Sequence, residues 1–171
     1  MIPKGAITTA VAVPPDGNCF FSALAVGMLC IQGSAPVPAY AARAEMGQKC
    51  REWFLTCVEP MFHQNKVIHG LPVKSILLDS QRWQSPTKYL AGMGAPILGR
   101  RQWGGFSEAI VIASLWHVQI AIFAEDQHGF SLITEPLGDE SRQQIRLLWT
   151  RTHYELLILS QQVWQKALGD K

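Results

Sequence analysis

Cys19 is the residue with the strongest chemical setting. It follows Pro14-Pro15-Asp16-Gly17-Asn18 and opens the apolar run Phe20-Phe21-Ser22-Ala23-Leu24-Ala25-Val26-Gly27-Met28-Leu29. The two prolines stop an extended segment, and Asp16, Gly17 and Asn18 tolerate positive φ and can offer free backbone N–H groups. A thiol just after such a turn stands in the first turn of a helix. There the unpaired N–H groups and the positive end of the dipole favour thiolate over thiol. The same N–H groups point where an oxyanion forms if that thiolate attacks a carbonyl.

A nucleophilic thiol needs a base, and His153 has the best setting of the five histidines. It follows the polar turn Arg151-Thr152 and begins a run that reads as a strand, so its ring can project from a sheet edge into a cleft. Residues i and i+2 of a strand share a face, which puts the Glu155 carboxylate beside His153 and within reach of its other ring nitrogen. Tyr154, Leu156 and Ile158 then fill the opposite face. Each part has an ordinary alternative: Cys19 as a buried inert thiol, His153 as a hydrogen-bonded strand-end residue, Glu155 as a solvated one. The order in which they occur is what carries weight: Asp-Gly-Asn-Cys before an apolar helix, Trp103-Gly104-Gly105 before another helix, His153-Tyr154 in a late strand.

The other histidines have weaker settings. His117 sits at a helix-to-strand junction and His128 in a hairpin turn, while His63 and His69 lack a cysteine at ligand spacing. No metal site is expected. Asp126 and Asp139 read as turn residues.

The elements that must position these groups follow from periodicity. A strand over Ala6–Val13 delivers the chain to the Asp16 turn, and the first helix runs to Ile31. After a linker from Gly33 to Pro38, helical spacing returns at Ala39. Tyr40, Ala44, Gly47, Trp53 or Phe54, and Val58 form the core stripe, and Arg43, Glu45, Lys49 and Glu52 the outer surface. The pattern weakens from His63 to Arg82, apart from a short helix near Val73–Leu78. Ser85-Pro86 is a helix start, and a Gly/Pro-rich loop from Gly94 to Gln102 leads to Trp103 and a helix over Ser107–Trp116. Strands follow at Val118–Ala124, Phe130–Thr134, Gln144–Thr150 and His153–Leu159, then a terminal helix from Ser160 to Leu168. Helices before a block of strands predict a mixed α/β or α+β domain with the sheet packed against helices.

Composition bounds the rest. At 171 residues with 48% hydrophobic and 16% charged residues, the chain should form one well-cored domain over 1–171 and not a disordered segment. The net charge of +2 is spread out, so nucleic acid is not the expected partner. Cys19, Cys30, Cys50 and Cys57 lack zinc-knuckle spacing and read as thiols of a reducing compartment. There is no run of about 18 apolar residues and no secretory signal pattern, so no membrane association is expected.

These blocks resemble the ovarian tumour (OTU) family of cysteine proteases, which are deubiquitinases. Asp16-Gly17-Asn18-Cys19-Phe20-Phe21-Ser22-Ala23-Leu24 looks like the family's nucleophile block. Trp103-Gly104-Gly105, with the helix through Glu108 and Ala113 and the Ile120-Ala121-Ile122 strand, is similar to its Trp-Gly block, and His153-Tyr154-Glu155 to its terminal block. The likeness spans Val13 to Leu159. It implies a papain-type cysteine protease fold, with a central, mostly antiparallel sheet packed between helices. It also implies a monomeric thiol isopeptidase acting on ubiquitin or polyubiquitin without a cofactor. Cys19 is then the nucleophile and His153 the base. The Asp16–Cys19 turn, with Gly17 and Asn18, forms the oxyanion hole. Trp103, Gly104, Gly105 and Tyr154 border the channel for the Gly-Gly tail, where absent side chains let the two backbones approach. Glu155 stands where Asp or Asn is commoner in the family, so the orienting group is either Glu155 or a residue near the N-terminal strand. The resemblance places the activity in the cytoplasm, or in a host cytosol if the chain is a bacterial effector or viral protein. A ubiquitin-binding module without turnover, a viral polyprotein protease and a cell-wall amidase are the alternatives.

Overall fold

The computed structural model describes residues 2–3, 7–33, 37–78, 83–99, 102–140 and 143–159. The terminal helix expected from Ser160 lies outside them. Strand β1 (Ile2–Pro3) and strand β2 (Ile7–Val11) lead to helix α1 (Cys19–Ile31) and helix α2 (Tyr40–His63). A small hairpin of β3 (Val67–Ile68) and β4 (Leu71–Pro72) precedes α3 (Val73–Leu77), α4 (Pro86–Gly94) and α5 (Phe106–Trp116). Four strands follow: β5 (Gln119–Asp126), β6 (Gly129–Leu132), β7 (Gln144–Trp149) and β8 (Tyr154–Leu159).

The main sheet has the order β1-β6-β5-β7-β8-β2. Its pairs are antiparallel except β5–β7, where Gln119 pairs with Gln144 and Phe123 with Leu148 in parallel register. Strand alternation divides its residues between two cores. Ile120, Ile122, Ile145, Leu147 and Leu156 join the larger one with the helices. Ala121, Phe123, Phe130, Leu148 and Leu157 form a smaller cluster on the other face. Helix α1 is apolar on nearly all sides, the composition of a helix enclosed by protein. Phe20, Phe21, Ala23, Leu24 and Val26 are all essentially inaccessible.

One register decides where the chemistry can be. Strand β2 pairs antiparallel with β8, Val11 opposite Leu156. The chain leaving β2 toward Pro14 therefore runs beside the start of β8, bringing the turn before Cys19 to the same sheet end as His153-Tyr154. Residues more than a hundred positions apart meet through backbone pairing.

Several elements differ in detail from the sequence reading. On α2 the buried face holds Gly47, Cys50, Arg51, Phe54, Val58 and Phe62. Trp53 lies outside it at 37% exposure, stacked on Trp116 with centroids 5.3 Å apart. Tyr40 is half exposed because it opens the helix, where Arg43 lies over its ring. The β3–β4 hairpin was not foreseen: its turn places His69 and Gly70 at φ 49° and 80°, the left-handed geometry of a two-residue hairpin. Ser85 caps α4 as expected, its hydroxyl accepting from the Lys88 N–H at 3.2 Å. Among the described residues no helix is long and apolar enough to cross a membrane.

Candidate active site

The turn before Cys19 is held by its own side chains. Asn18 N–H donates to Asp16 Oδ1 at 2.9 Å, closing an Asx turn, and Gly17 takes φ +82°. A Cβ on Gly17 would also lie 2.5 Å from Ile97 Cγ2 and 3.2 Å from Trp103 Nε1. Glycine is thus required twice, by conformation and by space.

Asn18 is the N-cap of α1, and its carbonyl accepts the first helical bond from Ser22 N–H at 2.8 Å. Its side chain, of a type that ordinarily caps, makes no capping bond. Instead Nδ2 donates to Gln48 Oε1 and Oδ1 accepts from Arg51 Nη1, each at 3.0 Å. Diverting that amide leaves first-turn N–H groups beside the Cys19 sulfur, and the backbone N–H groups of Tyr154, of Phe20 and of Cys19 itself favour its thiolate.

The resting thiol differs from the sequence expectation. Burial pushes the Cys19 thiol above its ordinary value, and the Asp16 carboxylate pushes the same way; the three N–H groups oppose both without overcoming them. Cys19 is 4% exposed, and desolvation outweighs the helix terminus. Burial likewise raises Cys50, to about 12, and with it Cys30 and Cys57. All four cysteines are free.

Two distant segments close on the Cys19 turn and the first turn of α1. Tyr154 brings its N–H to the sulfur and its ring edge-on to Phe20, centroids 5.2 Å apart. Trp103 covers the Gly17 turn. Gly104 lies so close to α1 that a Cβ there would stand 2.5 Å from Phe20 Cδ1 and 2.6 Å from Phe21 Cε2, and one on Gly105 would stand 3.6 Å from the Tyr154 hydroxyl. The sequence-derived residues Asp16, Gly17, Asn18, Cys19, Trp103, Gly104, Gly105 and Tyr154 are therefore assembled in one place.

His153 is half-buried at the end of the turn before β8, adjacent to the residue whose N–H reaches the sulfur. Its carbonyl accepts from Thr150 N–H at 2.9 Å, and Arg151 takes φ 70° to close the turn. Glu155 lies inside β8, opposite Leu148 and on the face of Leu157. No hydrogen bond or ion pair between described residues joins Glu155 to His153. The i, i+2 argument needs both residues in the strand, and His153 stands just outside it.

The sequence reading missed Arg51 at this site and named Glu108 only within the Trp-Gly block. Arg51, 2% exposed, occupies the i+4 position after Gly47 on the buried face of α2, a spacing that could have flagged it. Glu108, 1% exposed, accepts from Gly105 N–H at 2.9 Å and from the Tyr89 hydroxyl at 3.0 Å, fixing the end of the Trp103–Gly105 strip. A cavity of about 440 Å³ adjoins the turn, lined on one side by Asp16, Asn18 and Glu52 and on the other by Met93, Pro96 and Ile97. Among the described residues no three His, Cys, Asp or Glu side chains cluster as metal ligands would.

This arrangement is built on the fold of OTU domains, the protease fold to which the three sequence blocks pointed. The viral OTU protease of Taggert virus matches at TM-score 0.60 and 20% identity over 92% of this chain and 84% of that one. The Hazara virus OTU bound to ubiquitin matches at 0.59 and 19%, over 89% and 81%. An OTU deubiquitinase from Wolbachia pipientis bound to ubiquitin matches at 0.55 and 14%, over 89% and 98%. No protein-family model and no curated protein matches the sequence significantly.

Proposed function

We propose that this chain is a thiol deubiquitinase, cleaving the bond after the C-terminal Gly-Gly of ubiquitin with Cys19 as nucleophile and His153 as base. The supporting observation is the convergence of the Trp103–Gly105 strip and the β8 entry on the Asp16–Cys19 turn and the start of α1. Two similar structures carry ubiquitin, which makes ubiquitin the substrate of choice.

His153 takes the Cys19 proton as the sulfur attacks the carbonyl carbon, and returns it to the departing lysine amine. Asn18 N–H already serves Asp16, so within the turn the donors for the tetrahedral oxyanion are the N–H of Gly17 and, once the sulfur has bonded to carbon and no longer holds it, that of Cys19. The thioester is then hydrolysed by water activated by the same imidazole. A resting thiol held protonated makes base-assisted ionisation part of the reaction, so the imidazole counts for more than the carboxylate behind it. The substrate's tail runs over Gly104 and Gly105, and the catalytic unit is the single domain over 1–171.

The test is covalent capture by ubiquitin-propargylamide, followed by cleavage of a diubiquitin panel. Wild type should label at Cys19 and release ubiquitin, and Cys19→Ala should do neither while keeping its circular dichroism. Ubiquitin binding without labelling would leave a binding module in place of an enzyme. Cleavage by Cys19→Ala would end the mechanism.

A further inference from the structure

The nucleophile turn and the Trp103–Gly105 strip meet at Gly17 and Trp103, and a common side chain touches a support of each. Arg51 Nη1 donates to Asn18 Oδ1 at 3.0 Å, Nε to the Met93 carbonyl at 2.8 Å, and Nη2 to the Gln102 carbonyl, with Met93 Sδ 3.6 Å from Nη2. The guanidinium carbon lies 5.5 Å over the Phe21 ring, in the first turn of α1.

These contacts span three pieces of chain. Asn18 is the residue before the nucleophile, Met93 lies in the last turn of α4, and Gln102 immediately precedes Trp103. A planar guanidinium offers five donors in a fixed fork, so fixing its plane fixes the relation of the groups it serves. Asn18 is pinned further because Arg51 can only donate, which orients Oδ1 toward it and Nδ2 toward Gln48. The far end of the strip returns to the same helix: Glu108 holds Gly105 N–H and is itself held by Tyr89, one turn before Met93 on α4. Tyr89 and Met93 are both fully buried.

We propose that Arg51 is a positioning residue for the reaction, setting the distance between the Cys19 turn and the strip that carries the substrate's tail. The kinetic consequence rests on the deubiquitinase reading; the structural one does not. Lysine keeps the charge but has a single nitrogen, and cannot serve Asn18, Met93 and Gln102 together.

The experiment compares wild type with Arg51→Lys, as full chains, in three measurements. Steady-state cleavage of ubiquitin-aminomethylcoumarin should show kcat lowered about 100-fold, the scale of an ångström of misplacement, with KM little changed. Alkylation of Cys19 by iodoacetamide, which needs no tail, should proceed nearly as in wild type. Backbone amide exchange should quicken together in segments 16–19 and 102–105 and stay unchanged in β5 and β7. A kcat within about twofold of wild type, or exchange that quickens in one segment alone or throughout the chain, overturns the proposal. If Arg51→Lys does not fold, Asn18→Leu, close in volume but unable to meet Arg51 or Gln48, is read by the same criteria. Wild type inert toward ubiquitin would sink the deubiquitinase reading, and the exchange measurement would still decide whether Arg51 couples the two segments.

Discussion

The two halves of the candidate site are held by different means. Around Cys19, side chains do the work: Asp16 closes the turn, Asn18 is clasped by Arg51 and Gln48, and Glu108 holds the neighbouring strip. Around His153 the fixing is by backbone: the Thr150–His153 turn, the Trp149–Tyr154 pair, and the alignment of β8 with β2. An oxyanion site is built from N–H vectors that must stay put. An imidazole that takes a proton from one partner and gives it to another must be free to reorient. In the proposed mechanism this contrast would suit a fixed oxyanion cradle and an imidazole left free to carry a proton.

The largest test of this contrast is His153→Ala. Losing the base should lower kcat about 100- to 10,000-fold while leaving the melting temperature and the Cys19 turn unchanged, as read by turnover of ubiquitin-aminomethylcoumarin and by thermal unfolding. A collapse in stability would show that His153 is structural and erase the distinction. Gly104→Ala probes the rigid half. Its Cβ has no room against Phe20 and Phe21, so unfolding in urea should reveal a cost of about 1–3 kcal/mol from overpacking, together with reduced cleavage. An unaffected Gly104→Ala would mean that the strip yields easily. Glu155→Ala should have the smallest effect, within about 0.5 kcal/mol on stability, with a loss of turnover well below that of His153→Ala. Equal losses would show that the carboxylate engages the imidazole once substrate is bound.

Much of this was legible because it is local. Ser85-Pro86 announces the start of α4, and Pro14-Pro15 with Asp16-Gly17-Asn18 announces the turn, since φ preference and capping act within a few residues. The apolar run after Cys19 gave α1 to the residue. What remained hidden depends on contacts across the fold. Arg51 was illegible as long as charged residues on α2 were assigned outward; only the spacing Gly47, Arg51, Phe54, Val58 shows that an arginine lies within the core stripe. Asn18 looked like a cap and serves as a tether, because its partners on α2 lie 30 and 33 residues away. Whether His153 and Glu155 share a strand face turned on where β8 begins, a matter of one residue. The parallel pairing of β5 with β7 leaves no local trace.

The burial of Cys19 has a chemical corollary. Sulfenic acid forms from accessible thiolate, and a sulfur that rests protonated and nearly covered meets peroxide slowly on both counts. The burial that raises the thiol's pKa thereby also shields the sulfur from oxidants.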